Sequence, residues 1–88
     1  MEVIYTLIYT KKAIKDIQSL KAAKLADKVA DLCRSLLVNP IPPLYSKQLS
    51  GDLKGKRSIR INLQHRLVYE VLESEKIIKI LSMWSHYE

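Results

Sequence analysis

Residues 57–72 read RSIRINLQHRLVYEVL, and this stretch decides the fold. From Arg57 to Leu63, charged or polar residues alternate with isoleucine and leucine, a pattern typical of a strand with one buried face. From His65 to Leu72 the chain is rich in valine, leucine and tyrosine, which predicts a second strand. The connection at Leu63 and Gln64 is tight, and so short a connection makes the two strands antiparallel neighbours.

The alternation also assigns the side chains of the first strand to the two faces of the sheet. Ile59 and Ile61 point to the core, because successive side chains of a strand face opposite ways. Ser58 and Arg60 then face away from it. If Arg66 on the next strand faces the same way as Arg60, two guanidinium groups meet on the uncovered side of the sheet.

Further strands are predicted on both sides of this pair. The run Ile-Ile-Lys-Ile-Leu within Lys76–Trp84 predicts a third strand, reached over a short connection at Glu73–Glu75. Upstream, Val3–Tyr9 is dense in β-branched and aromatic residues and is predicted as a strand that stops at Thr10, a helix N-cap.

Apolar residues three and four positions apart predict helix from Lys11 to Val38. One helix of that span would be about 42 Å long, whereas a globule of this size has a radius of gyration of only about 12 Å. A break is therefore expected, and Lys21–Lys24 is the predicted position because the first apolar stripe ends there. Asn39–Pro43 holds all three prolines and is predicted as a rigid extended loop.

The predicted fold class is α+β in the order β-α-α-β-β-β, with a helical hairpin packed on one face of a small, mainly antiparallel sheet. A length of 88 residues fits one domain spanning residues 1–88. Because 48% of the residues are apolar and glycine and proline are sparse, a disordered or fibrous chain is excluded.

The net charge of +6 favours partners with negative charge, such as nucleic acid, an acidic protein or an anionic lipid surface. The basic excess is local, since only Asp52 opposes six cations between positions 47 and 66: Lys47, Lys54, Lys56, Arg57, Arg60 and Arg66. Charge alone leaves open a solvated surface strip that merely aids solubility.

The single cysteine, Cys33, allows no internal disulfide and fits a reducing cytoplasm, where it packs in a predicted helix. The N-terminal apolar stretch is too short and too rich in tyrosine for a signal sequence, and no later run approaches membrane-spanning length. A membrane location is therefore not expected.

The segment from Ser58 to Val71 and the ending Met83-Trp-Ser-His-Tyr-Glu88 resemble the Txe/YoeB branch of the RelE/ParE superfamily of toxins from type II toxin–antitoxin systems. The shared signature is S-x-R-I-N-x-x-H-R-L-V-Y with a terminal H-Y pair, and the β-α-α order also fits, so the likeness covers nearly the whole chain. The resemblance implies a RelE-like fold and an endoribonuclease that cleaves messenger RNA, commonly on the ribosome, by attack of the ribose 2′-hydroxyl on the adjacent phosphate.

Such a reaction needs a proton acceptor, cations that stabilise the phosphorane, and an acid that protonates the departing oxygen. It needs no metal and no other cofactor, and two histidines without clustered carboxylates or cysteines make a poor metal site. By position, Arg60 and Arg66 match the family's phosphate-contacting arginines, His86 its general acid, and Tyr87 the residue that positions the phosphate or stacks beside a base. The predicted RNA- or phosphate-binding residues are Lys47, Lys54, Lys56 and Arg57.

One departure from the family pattern concerns the proton acceptor. The family's glutamate falls on Ser46 or Lys47, depending on a single-residue gap, and neither is a carboxylate. Three interpretations follow: Lys47 acts as a base or a phosphate contact, another group accepts the proton, or the protein is a weak or inactive copy. We favour Lys47 as a phosphate contact with reduced activity.

The other histidine, His65, is predicted to be structural, whereas Tyr69 and Trp84 are ambiguous. If Arg66 lines the site, the adjacent His65 points to the other face and packs beneath the sheet. Tyr69 and Trp84 could be core residues or base-stacking platforms, and a strand aromatic is more often core.

Two other functions are compatible with the sequence, namely an RNA- or ribosome-binding homologue without catalysis and a ParE-like inhibitor of DNA gyrase on the same fold. The resemblance implies a cognate antitoxin that covers the basic face, with messenger RNA and the ribosome as further partners. A homodimer and a toxin–antitoxin hetero-oligomer are both compatible with it.

Overall fold

The protein is described by a computed structural model that covers residues 4–42, 45–49, 51 and 55–85. Its elements are β1 (Thr6–Tyr9), α1 (Lys11–Ala22), α2 (Ala26–Val38), β2 (Ser46–Gln48), β3 (Arg57–Arg60), β4 (Arg66–Leu72) and β5 (Ile77–Ser85). The predicted α+β class is confirmed, because the two helices pack on one mixed sheet.

The sheet has five strands in the order β1-β5-β4-β3-β2. Strand β1 pairs with β5 in parallel, and all other neighbours are antiparallel. The helices cover the face that carries the apolar side chains of the strands, and the resulting core consists of Ala13, Leu20, Val29, Cys33, Leu36, Ile59, Ile61, Leu67, Tyr69, Ile78, Ile80 and Met83. In the described ranges, neither helix is long and apolar enough to cross a membrane.

Strand β2 is absent from the predicted order, which has four strands. Its three residues are Ser-Lys-Gln, too short and too polar to give a strand pattern. Tertiary contacts hold it instead: Arg57 Nε donates to Ser46 Oγ at 2.7 Å, and Ser46 Oγ lies 2.6 Å from the hydroxyl oxygen of Tyr69. The Tyr69 hydroxyl also donates to the carbonyl oxygen of Pro40 at 2.7 Å, so one network joins the proline loop, β2 and the centre of the sheet.

Strand β3 ends at Arg60, three residues before the predicted end at Leu63. The cause is the side chain of Asn62, whose Oδ1 accepts hydrogen bonds from the backbone N–H groups of Gln64 at 2.9 Å and His65 at 2.8 Å. This local bonding offers the backbone an alternative to the strand ladder. The hairpin between β3 and β4 is therefore a fixed turn.

The predicted break of the helical hairpin is confirmed, and Lys24 shows how it forms without glycine. Lys24 has φ of 60°, a left-handed conformation that costs a lysine roughly 1–2 kcal/mol. Its backbone reversal lets the N–H of Leu25 donate to the carbonyl oxygen of Leu20 at 2.8 Å, which caps the end of α1. At the other end, Thr10 is the N-cap as predicted, and its Oγ1 accepts from Ala13 N at 3.2 Å.

The end of β5 is irregular, and two side chains near the start of α1 bind its backbone. The register between β4 and β5 shifts on both sides of Val68, which leaves extra residues in β5. Thr10 Oγ1 donates to the carbonyl oxygen of Leu81 at 2.9 Å, and the buried Asp16 accepts from the N–H of Met83 at 2.9 Å. Helix α1 thus satisfies polar groups that the irregular ladder leaves open.

We expect Asp16→Ala to lower the free energy of unfolding by about 1–3 kcal/mol, because the buried N–H of Met83 loses its acceptor. Equilibrium unfolding in urea measures this. The matched control is Lys12→Ala, which removes only the exposed partner of the same carboxylate and should cost at most about 1 kcal/mol. If both variants lowered the free energy of unfolding equally, the hydrogen bond from Met83 N–H to Asp16 would not contribute to stability.

Candidate functional site

A cleft of about 620 Å³ lies where α2, the loop after it and strands β2 to β4 meet. The described residues that line it are Leu32, Ser35, Asn39, Pro42, Tyr45, Lys47, Ile59, Arg60 and Arg66. Three of these residues are cations, and no described residue of the lining is an aspartate or a glutamate. The cleft is therefore suited to an anion with an apolar portion.

Arg60 and Arg66 come together because of the strand register. Ile59 lies opposite Leu67 and both are core residues, so the next pair, Arg60 opposite Arg66, points to the other face of the sheet. Arg60 is exposed and Arg66 is partly buried. The sequence prediction that the two guanidinium groups share one face is confirmed.

Arg66 is held in place by a serine. Its Nε donates to the hydroxyl oxygen of Ser58 at 2.9 Å, and Ser58 is only 1% exposed. Burial lowers the pKa of Arg66 from its ordinary value, and the positive charge of Arg60 lowers it further. An anion bound here would relieve the repulsion between the two cations, so the pair forms a site prepared for negative charge.

The structure also distinguishes the two positions considered for the family's glutamate. Ser46 is buried on the helix side of the sheet, where Arg57 and Tyr69 bind its hydroxyl. Lys47 is exposed, lies opposite Ser58 in the ladder and lines the cleft. The position that faces the two arginines thus carries a cation.

Two other residues predicted to bind RNA do not line the cleft. Arg57 lies opposite Tyr69, on the helix side of the sheet, and its guanidinium donates to Ser46. Lys56 Nζ lies 4.0 Å from the carboxylate of Glu70. The cleft therefore takes its cations from only part of the basic segment.

Three predicted site residues, Lys54, His86 and Tyr87, lie outside the described residues. The described chain does reach Ser85, which lies opposite Arg66 in the β4–β5 ladder.

His65 packs beneath the sheet, as the alternation predicted. It is 5% exposed, and its ring stacks on Trp84 with 3.7 Å between centroids and 18° between planes. Tyr69 is fully buried and Trp84 packs against the core. All three rings are therefore structural, and Cys33 is likewise buried in the core.

Sequence reasoning missed the contribution of α2 and of Tyr45 to the cleft. The site was predicted on the uncovered face alone, but Leu32 and Ile59 line it from the helix side. Tyr45 could have been found, because an aromatic residue two positions before Lys47 shares its face if the segment is extended.

Within the described ranges, no three His, Cys, Asp or Glu side chains are grouped so that they could hold a metal ion.

Comparison with known proteins gives a match to one family model. Residues 7–88 match the model described as the ParE toxin of type II toxin–antitoxin system, parDE. No curated protein sequence matches this chain.

Several solved structures are similar over nearly their whole length. A YoeB/ParE toxin from Agrobacterium tumefaciens has 29% sequence identity and a TM-score of 0.83, over 93% of this chain and 99% of that chain. A YoeB dimer from Staphylococcus aureus has 30% identity and a TM-score of 0.80, over 96% and 99% of the two chains. A YoeB–YefM complex from Staphylococcus aureus has 30% identity and a TM-score of 0.78, over 94% and 98%.

We expect Arg60→Gln to raise the free energy of unfolding by about 0.5 kcal/mol at low salt, because it removes the cation that repels Arg66. Urea unfolding at low and high salt measures the gain, which should shrink as salt screens the charges. Lys28→Gln removes one exposed cation of α2 outside the cleft and controls for net charge. An equal gain in both variants would attribute the effect to net charge alone.

Proposed function

Because this chain belongs to the ParE toxin family of type II toxin–antitoxin systems, we propose that it is a toxin that acts as an endoribonuclease on messenger RNA. The observation that supports the proposal best is the paired position of Arg60 and Arg66, with Lys47 in the same cleft. Three cations around one cleft fit a phosphodiester and its neighbours better than a neutral substrate.

The proposed reaction is an attack of the ribose 2′-oxygen on the adjacent phosphorus. The bond between this oxygen and phosphorus forms, and the bond between phosphorus and the 5′-oxygen breaks. The products are a 2′,3′-cyclic phosphate and a free 5′-hydroxyl. Arg60 and Arg66 bind the non-bridging oxygens, where the charge of the phosphorane develops.

In this proposal the leaving 5′-oxygen takes its proton from His86, and Tyr87 positions the phosphate or a base. A histidine suits the acid role because its ordinary pKa near 6.5 allows it to carry and release a proton near neutral pH. Ser85, opposite Arg66, supports this placement because it immediately precedes His86. Lys54 and Lys56 remain predicted contacts to the RNA strand outside the described cleft.

This toxin differs from the family pattern because neither Ser46 nor Lys47 is the glutamate that accepts the proton in the family. Ser46 is unsuited to the role because its hydroxyl is buried and bonded to Tyr69 and Arg57. Lys47 is proposed to contact a phosphate. A cleft whose described lining lacks a carboxylate implies slow cleavage, with solvent accepting the 2′-hydroxyl proton.

The partners follow from the same family. We propose a cognate antitoxin with an acidic or amphipathic segment that covers the cations of the cleft, as the YoeB–YefM complex from Staphylococcus aureus suggests. Opposite charges make such an association fast and sensitive to salt. A dimer, as for YoeB from Staphylococcus aureus, is a further proposal. We propose that the toxin acts in the cytoplasm at translating ribosomes, because its proposed substrate is messenger RNA.

We expect Arg66→Ala to slow cleavage of messenger RNA by about 10²–10³-fold, as removal of one transition-state donor does. We expect His86→Ala to slow it by about 10²–10⁴-fold through loss of the acid. Primer extension on RNA incubated with translating ribosomes measures both, and the exposed Lys28→Ala is the control. Unchanged products in both site variants would contradict the proposal.

We expect Lys47→Glu to speed cleavage, because it restores a carboxylate where the family's general base lies. The rate constant at saturating RNA should rise by about 10- to 100-fold, less than the effect of an optimally placed base. The Michaelis constant should also rise, since one phosphate-binding cation is lost. Lys56→Glu makes the same charge change outside the cleft and should not speed the reaction. A Lys47→Glu variant no faster than the parent would place the proton acceptor elsewhere.

A second candidate function is inhibition of DNA gyrase, which the ParE description of the matched family favours. A supercoiling assay with purified gyrase distinguishes the two. Inhibition at toxin concentrations that leave messenger RNA intact would favour gyrase, and a toxin that cleaves RNA without affecting supercoiling would favour the nuclease.

A further inference from the structure

We propose that Tyr45 is a base-stacking residue of the cleft, with its ring against a nucleobase next to the phosphate that Arg60 and Arg66 bind. This inference rests on the proposed function, because it requires single-stranded RNA in the cleft. It adds a contact to the base, whereas the arginines contact only the backbone.

Tyr45 lines the same cleft as the arginine pair. It immediately precedes β2, whose first residue, Ser46, lies opposite Ile59, the residue before Arg60. Arg60 in turn lies opposite Arg66. The residues that carry an aromatic ring and two guanidinium groups therefore line one cleft.

Tyr45 is exposed although its backbone is fixed. The residue is 66% exposed, so the ring contributes little to the core. Its N–H donates to the carbonyl oxygen of Pro42 at 3.2 Å, and the next N–H, of Ser46, donates to the same oxygen at 3.0 Å. The side chain of Ser46 is anchored by Arg57 and Tyr69. A large ring on an anchored backbone loses little conformational entropy when it binds a ligand.

The cleft beside the ring offers the two surfaces that a nucleotide needs. Leu32, Pro42 and Ile59 give it an apolar wall, and Lys47, Arg60 and Arg66 give it positive charge. Its volume of about 620 Å³ lies within the roughly 300–1,000 Å³ that is usual for small-molecule sites. Proteins that bind single strands combine basic grooves with aromatic rings in this way.

A segment of an antitoxin could use the same ring, and the test treats this as the competing outcome. The RNA is favoured because the cleft combines an exposed aromatic ring with a pair of guanidinium groups, and a nucleotide has both a base and a phosphate to bind them. An antitoxin side chain would need no such combination of groups.

The experiment measures equilibrium binding of a short single-stranded RNA in which every ribose carries 2′-fluorine, so that no 2′-hydroxyl is available for attack. Tyr45→Ala should bind about 5- to 100-fold more weakly than the parent, the loss expected from one aromatic–base stack. Tyr45→Phe and Tyr45→Trp should bind as the parent does. Tyr45→Leu should be as weak as Tyr45→Ala, because it restores apolar area without a ring.

Further controls distinguish loss of the Tyr45 ring from a general loss of folding and from weaker anion binding by the cations of the cleft. Leu63→Ala truncates another highly exposed apolar side chain, 92% exposed, in the β3–β4 turn outside the cleft lining, and should not change binding. Inorganic pyrophosphate as a probe should bind Tyr45→Ala normally and Arg66→Ala weakly. Thermal unfolding should give the same midpoint for Tyr45→Ala and the parent within a few degrees.

A series of probes, each lacking one base, identifies the stacked nucleotide. One abasic position should weaken binding to the parent and leave binding to Tyr45→Ala unchanged, since the two changes remove the same contact. Equal penalties in both proteins, or full binding by Tyr45→Ala while Arg66→Ala loses the RNA, would overturn the stacking role and leave the nuclease proposal standing. If Tyr45→Ala weakens only the antitoxin complex, the ring is a protein contact and the inference is wrong. If the parent protein binds no RNA, both the stacking role of Tyr45 and the proposed function are wrong.

Discussion

The antiparallel register of β3 with β4 is the constraint on which the rest of the molecule depends. It places Ile59 opposite Leu67 on the helix side and Arg60 opposite Arg66 on the other side. A slip of either strand by one residue would exchange the two faces of that strand, putting its guanidinium group into the apolar core and its apolar side chain into the cleft. Burial of the apolar pair, worth about 1.5–3 kcal/mol for each side chain, therefore also fixes the position of the cations. The register that buries Ile59 and Leu67 in the core thus also determines where Arg60 and Arg66 lie.

Polar side chains hold the parts of the fold that apolar packing does not fix. Ser46, Arg57 and Tyr69 join the edge strand β2 to the proline loop, although the strand has only three residues. On the other side of the molecule, Thr10 and Asp16 bind the irregular backbone of β5. Both networks border the candidate site, since one fixes the segment with Tyr45 and Lys47 and the other binds the strand whose Ser85 lies opposite Arg66. Buried networks of this kind specify a single arrangement of the chain, because an unpaired member would be costly.

The charges of the cleft favour the binding of an anion. Arg66 is restrained by Ser58 and repelled by Arg60, and a bound anion would reduce this repulsion. In the proposed nuclease, Lys47 adds to the attraction for RNA, and neither Ser46 nor Lys47, the two positions that match the family's glutamate, carries a carboxylate that could accept a proton. A family member with this substitution is expected to hold its substrate well and to cleave it slowly. Such a toxin would also present more positive charge to an acidic antitoxin than a relative with the glutamate.

The sequence by itself determined the fold class, the helical hairpin and the outward direction of Arg60, because these follow from periodic apolar patterns and from the alternation of a strand; the register of β3 with β4 then put Arg66 on the same face. It also predicted the structural role of His65 and identified the toxin family from the segment between Ser58 and Val71. Only the tertiary structure decided the rest. Strand β2 and the early end of β3 depend on hydrogen bonds made by Ser46 and Asn62, which leave no periodic signal. The contribution of α2 to the cleft and the exclusion of Arg57 from it depend on how distant elements pack, and a local pattern along the chain does not contain that distance.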